Sequence, residues 1–209
     1  MKKIIKQLEP RSLVEHRLKA NANYDNYSDK DKLRESLLKE QGYICCYCMS
    51  RIKLDEMKIE HWQPQTKYTS RQLDYRNLLG ACMGNQGARP QNQHCDTRKG
   101  DSEITINPTE GGKNCENLIR YRPDGEVYST DESINRDLNE TLNLNLEFLK
   151  KNRKVALDVV LDQLQKKFPN TNWTANIRKK VINDLSDKNV NGYHSEYCQI
   201  AICYLKSKL

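Results

Sequence analysis

Apolar residues recur along this chain in short periodic stretches separated by polar breaks. After a basic opening that ends at Pro10, Leu13, Val14, His16 and Leu18 give a weak helical pattern between Arg11 and Ala20. Ser28-Asp29-Lys30-Asp31 reads as an N-cap region. Leu33, Leu37 and Leu38 then continue at helical spacing to Gln41, and Gly42 is placed to end that helix. Alternation at Met57, Ile59 and His61 predicts a short strand closed by Pro64. Residues 65–81 read as loop, with a short helix or turn around Leu73 to Leu79. Gly84 to Pro90 is a polar loop rich in breakers, and His94 to Gly100 reads as a short helical turn. Leu118 to Tyr121 and Glu126 to Tyr128 flank Pro123-Asp124-Gly125, which predicts a β-hairpin. From Thr141 onward, Leu142, Leu146, Leu149, Ala156, Val160 and Leu164 fall on one helical stripe, broken at Pro169-Asn170. Ile177, Val181, Ile182 and Leu185 predict a second helix, and Tyr197, Ile200, Ala201 and Tyr204 a third. These stripes read as core packing.

Composition narrows the function classes. A chain of 209 residues allows one domain or two small ones, and a hydrophobic share of 36% suffices for a core. Lys and Arg number 35 and Asp and Glu 28, a net charge of +7 that suits an anionic partner such as nucleic acid, although solubility alone also accounts for it. The helical tail carries Lys150, Lys151, Arg153, Lys154, Lys166, Lys167, Arg178, Lys179 and Lys180. For most of these a solvated basic face is expected; the sharper expectation is that part of the face tracks a nucleic-acid backbone. No stretch approaches ~18 consecutive apolar residues, and no apolar run follows the basic N-terminus, so the expectation is a cytoplasmic protein without a membrane span.

That compartment decides how the 8 cysteines are read. Under reducing conditions clustered cysteines point to metal before disulfides. Cys45-x-x-Cys48 has knuckle spacing, and Cys82 with Cys95 supplies a second pair, with twelve residues between them. Four such thiolates suit a closed tetrahedral zinc site, worth about 10–16 kcal/mol of binding free energy in comparable peptides. Cys46 competes with Cys45, but Cys46-x-Cys48 is too short for a standard knuckle. Between the pairs lie Ile59-Glu60-His61-Trp62 and Asn77-Leu78-Leu79, and across the second pair runs His94-Cys95-Asp96-Thr97-Arg98-Lys99-Gly100. A histidine beside a carboxylate, bracketed by metal-type cysteines, fits a bland core poorly.

The order CxxC, Glu-His, Asn, Cys, Cys-Asp-x-x-Lys-Gly resembles the HNH endonucleases, most closely the PtuB-like HNH proteins encoded beside retron and Septu antiphage systems. The resemblance covers roughly residues 43–108 and weakly Leu142-Asn143-Leu144-Asn145. It implies an α+β protein: a ββα-metal core with a structural zinc on Cys45, Cys48, Cys82 and Cys95, wrapped by N- and C-terminal helices. The implied division is 1–42, a tail and helices; 43–108, the nuclease core; and 109–209, a β-hairpin and helical region. Carried over, His61 is the general base, and Asn77 orients it through its amide oxygen. Glu60 is a ligand of a catalytic Mg²⁺ or Mn²⁺, either Asp96 or His94 is a second ligand, and Arg98 and Lys99 neutralise phosphate. The long gap before Cys95 either shifts the zinc register or presents Arg89 to substrate. The resemblance further implies a PtuA-like ATPase partner and a nucleic-acid substrate, DNA before RNA. The rivals are an RNA- or tRNA-cleaving effector of the same fold and a non-catalytic zinc module.

Overall fold

The computed structural model describes residues 1–109, 114–169 and 172–209. The chain opens with two helices, α1 (Arg11–Arg17) and α2 (Lys30–Gln41). Gly42 ends α2 in the left-handed region, at φ 61°, and its N–H returns to the Leu38 carbonyl. A Cβ there would also meet the His194 ring, so glycine is required twice over. Strand β1 (Met57–His61) follows, then two single 3₁₀ turns at Thr69–Arg71 and Tyr75–Asn77, then β2 (Leu78–Cys82).

The two strands pair antiparallel, with Glu60 opposite Leu79 and His61 opposite Leu78. β2 corrects the expectation of loop or helix up to residue 81. Leu78-Leu79-Gly80-Ala81-Cys82 is buried at every position, so it shows no alternation to read. The outer edge of β2 is closed by a side chain. The Gln41 amide accepts from Gly80 N at 2.6 Å and donates to Gly80 O at 2.8 Å, as a neighbouring strand would.

Helix α3 (Cys95–Lys99) packs on β2, and a short α4 (Cys115–Leu118) leads into the hairpin β3 (Arg120–Tyr121) and β4 (Val127–Tyr128). The hairpin stands where the turn signal puts it. Helix α5 (Glu132–Arg136), with a π-helical turn at Asp137–Thr141, was not legible. The long α6 (Glu147–Lys167) starts six residues later than the stripe suggests: Leu142 and Leu146 are connector residues, with Leu142 fully buried. Helix α6 ends before Pro169; Asn170 lies outside the described residues. Helices α7 (Ala175–Ser186) and α8 (Cys198–Lys206) pack on each other and α8 on α6. Tyr121 touches the core around β1–β2 and the cores among these helices, joining them. No helix among the described residues is long and apolar enough to cross a membrane.

Within the tail, Lys151, Lys154, Lys166, Lys167, Lys179 and Lys180 are exposed, as a solvated basic face requires, and Arg153 departs from it. Arg153 is buried, 1% exposed. Its guanidinium donates to Gly125 O at 2.5 Å and to Leu144 O at 2.7 Å, fastening α6 to the β3–β4 turn. Lys150, Lys154 and Lys166 pair with Glu147, Asp158 and Asp162 on their own helix. Arg153→Ala therefore leaves two buried carbonyls without donors. The expected loss is roughly 2–5 kcal/mol, read as a lower urea midpoint, with Lys154→Ala within about 0.5 kcal/mol of the parent.

Candidate functional site

The cysteines come from three stretches of chain and meet at one point. The sulfurs of Cys45, Cys48, Cys82 and Cys95 all lie within 4.8 Å of one another, and all four residues are buried. Cys45 and Cys95 stand 3.9 Å apart, Cys48 and Cys82 3.8 Å. Zn–S bonds of about 2.3 Å in a tetrahedron put sulfurs about 3.8 Å apart. The donor set and its spacing therefore suit zinc.

Local turns build the centre. Cys45 N–H donates to Ser50 O at 2.9 Å and Met49 N–H to Cys45 O at 3.1 Å, with Met49 at φ 68°, which closes the first knuckle. The twelve-residue gap is bridged at its neck, where His94 N–H donates to Gly84 O at 3.1 Å. Gly84 sits at φ 56°, and a Cβ there would collide with that same His94 carbonyl region, so the neck tolerates only glycine. Burial raises Cys95, and hydrogen bonds to Cys45, Cys48 and Cys82 raise it further. Burial also opposes ionisation of Cys45, but hydrogen bonds from Cys46, Cys48, Cys82 and Cys95 overcome it and hold that thiol well below its ordinary value. Cys46 stands outside the four-sulfur group.

A second constellation lies where β1 faces α3. Glu60 is 3% exposed and Lys99 2%. Lys99 Nζ stands 2.8 Å from Glu60 Oε1 and donates to the His61 carbonyl at 3.1 Å. Tyr47, inside the first knuckle, donates to the same Glu60 oxygen at 2.6 Å. The Asp96 carboxylate lies against Glu60. Burial first, then Asp96, push Glu60 well above the carboxylate range, and Lys99 only partly offsets them. Asp96 in turn has Lys58 Nζ at 3.3 Å, itself hydrogen-bonded to Thr97 Oγ1 at 2.8 Å. The two facing carboxylates are thus each paired with a lysine, Glu60 with Lys99 and Asp96 with Lys58.

His61 ends β1, with Lys99 and Asp96 within electrostatic reach of its ring. Its Nε2 is 2.9 Å from the Gln72 carbonyl oxygen, which only accepts, so Nε2 carries the proton and the neutral ring keeps a lone pair on Nδ1. Burial lowers the His61 pKa by more than the Gln72 carbonyl raises it, favouring that neutral ring. Asn77 does not orient His61 through its amide. Its Oδ1 accepts from Gln63 N at 2.8 Å, and its Nδ2 donates to Gln63 O at 3.0 Å and Arg71 O at 3.3 Å. Asn77 thus pins the turn that ends in Gln72, and a backbone carbonyl does the orienting.

The remaining sequence candidates divide. Asp96 joins Glu60. His94 turns instead to the cysteines, its Nδ1 3.1 Å from the Cys95 sulfur and its ring edge-on to Phe148. Lys99 is enclosed, its ammonium engaged by Glu60 and His61, so it does not reach a phosphate. Arg98 is exposed and donates to Pro90 O at 3.1 Å. Arg89 is exposed in the polar loop. Gln72, Tyr47 and Lys58 were missed. A backbone carbonyl leaves no mark in a sequence, but the period of β1 puts Lys58 on the face of Glu60 and was readable.

With this geometry in hand, comparison with known proteins adds one finding. Over 107 residues the chain is 28% identical to a candidate HNH endonuclease of retron Vc95 from Vibrio cholerae serotype O1 biovar El Tor, an alignment covering 50% of each protein. The chain spans about half the length of the relative it matches. No protein-family model matches. The likeness supports the HNH endonuclease family and a nuclease function in general, and the four-cysteine cluster in an α+β fold fits an HNH-like zinc protein.

The expected metal content is one zinc per chain by elemental analysis. Cys48→Ser loses the metal and unfolds at lower denaturant, whereas Cys46→Ser keeps both zinc and stability. A zinc-free parent protein, or a Cys48→Ser protein with full zinc, overturns the assignment.

Proposed function

We propose that the protein is a metal-dependent HNH endonuclease that hydrolyses phosphodiester bonds of DNA, with β1, β2 and α3 forming the ββα nuclease unit of residues 43–108. The observation that carries this reading is His61. Its Nε2 proton is held by Gln72 O, its Nδ1 lone pair is left for a substrate water, and Asp96 lies within electrostatic reach of the ring.

In the reaction, Nδ1 of His61 takes a proton from water as the water oxygen bonds to phosphorus and the bond from phosphorus to the leaving sugar oxygen breaks. Glu60 and Asp96 would hold Mg²⁺ or Mn²⁺, which supplies Lewis-acid polarisation of the phosphoryl oxygen and charge for the leaving oxygen. Asn77 keeps the 63–72 turn in place, so that Gln72 presents its carbonyl to Nε2. Lys99 and Tyr47 fix the Glu60 carboxylate. Arg98 and the half-exposed Lys58 are the cations available to phosphate.

The likeness to a retron protein extends the reading to antiphage defence. The protein is then the PtuB-like nuclease effector in the cytoplasm, acting with a PtuA-like ATPase that supplies the control this generic site lacks. Phosphate-centred chemistry does not choose between DNA and RNA, so both are assayed.

The test is cleavage of plasmid DNA and of tRNA with Mg²⁺ or Mn²⁺, with and without an ATPase encoded beside the gene. His61→Ala is expected to fall below about 1% of the parent rate with fold and zinc unchanged. Asn77→Ala is expected to lose rate and some stability together, because it releases a turn. Cleavage by His61→Ala at the parent rate removes the mechanism, and cleavage of tRNA alone replaces DNA with RNA.

A further inference from the structure

The connection between α1 and α2 lies outside every motif of the candidate site, yet it reaches His61. The Tyr24 ring meets the imidazole edge-to-face, with centroids 4.6 Å apart and planes at 85°. Gln72 ties the two together. Its carbonyl accepts from His61 Nε2 at 2.9 Å, and its side-chain oxygen accepts from Tyr24 N–H at 3.1 Å. The ring is thus clamped by one residue to the carbonyl that sets the imidazole's tautomer.

The connection is built to hold that position. His16 Nε2, on the buried side of α1, stands 3.1 Å from Asn23 O and 2.9 Å from Asn26 Oδ1. Asn23 N–H donates to Asn26 Oδ1 and Asn26 N–H to Asn23 Oδ1, each at 2.9 Å, a reciprocal knot on either side of Tyr24 and Asp25. Tyr27 is buried behind it, with its hydroxyl 2.8 Å from Ser12 Oγ. Lys30 Nζ sits 4.7 Å from the Tyr24 ring centroid. A solvent loop has no need of a buried histidine and two reciprocal asparagines.

We propose that Tyr24 is a positioning residue for His61: its ring holds the imidazole in the plane in which Nε2–H donates to Gln72 O and Nδ1 faces the substrate water. The proposal rests on the nuclease reading for its catalytic consequence but not for its structural one. An imidazole with one hydrogen bond can still rotate about that bond, and an aromatic edge on its face removes the freedom. The ring is what acts, so the hydroxyl is dispensable.

The experiment uses the full chain and three variants, Tyr24→Phe, Tyr24→Ala and Asn26→Ala, with two readouts. One is the ¹⁵N chemical shifts of the His61 ring nitrogens. The other is cleavage of plasmid DNA with Mn²⁺, separated into kcat and KM. In the parent and in Tyr24→Phe, the shifts are expected to report a single Nε2–H tautomer. In Tyr24→Ala they draw together as tautomers exchange, kcat falls about 10- to 100-fold, and KM stays within about twofold. Asn26→Ala, which loosens the connection without touching His61, moves both readouts part of the way. Parent-like shifts and kcat in Tyr24→Ala overturn the proposal, and so does a Tyr24→Phe variant as impaired as Tyr24→Ala. If the parent cleaves neither DNA nor RNA, the nuclease reading fails by itself, and the ring shifts alone uphold or overturn the positioning role.

Discussion

Four sulfurs within 4.8 Å of one another set the terms for the rest of the molecule. Thiolates so close repel, and a divalent cation turns that repulsion into a tie among the first knuckle, the end of β2 and the start of α3. The tie decides more than its own geometry. Because Cys95 opens α3, Asp96 follows one residue later and Lys99 one turn later, so the helix is delivered with both side chains toward β1. Because Tyr47 lies between two ligands, fixing the knuckle also fixes the hydroxyl that holds Glu60. The four-cysteine cluster and the candidate active site share a wall.

That wall is a buried charge system. Glu60 and Lys99 are both enclosed, and an enclosed pair is stable only with further hydrogen bonds. Here Tyr47 supplies one to the carboxylate and His61 O receives one from the ammonium. The lysine that a motif comparison assigns to phosphate is therefore part of the scaffold. Lys58 and Arg98 stand nearer the surface, Lys58 half-exposed and Arg98 exposed.

Legibility in the sequence followed the kind of signal each feature emits. The knuckle, the β1 alternation, the Gly42 stop and the Pro-Asp-Gly turn are local, and each was read at its place. β2 was not, because a fully buried strand has no period. The start of α6 was read early, because Leu142 and Leu146 are buried for tertiary reasons while their backbone is not helical. In the candidate site, residue types gave Glu60 and Asp96, which lie against each other. The role of Asn77 shifted from its amide to the turn it anchors, since the true partner of His61 is a main-chain carbonyl. Tyr24 stood wholly outside the motif, brought in by a loop whose order depends on His16, Asn23 and Asn26.

The neck between Gly84 and His94 separates the loop beyond it from the metal centre. Asn85 and Asn143 hold the returning strand of that loop, yet at its tip a Cβ on Gly87 meets nothing within 4 Å. Chain length at such a tip is thermodynamically cheap, each doubling costing only about 0.6 kcal/mol. The segment from Gln86 to Arg89 can lengthen, shorten or change composition across generations while the sulfurs stay where they are. It gives the experimenter an insertion point for a fluorophore or peptide tag.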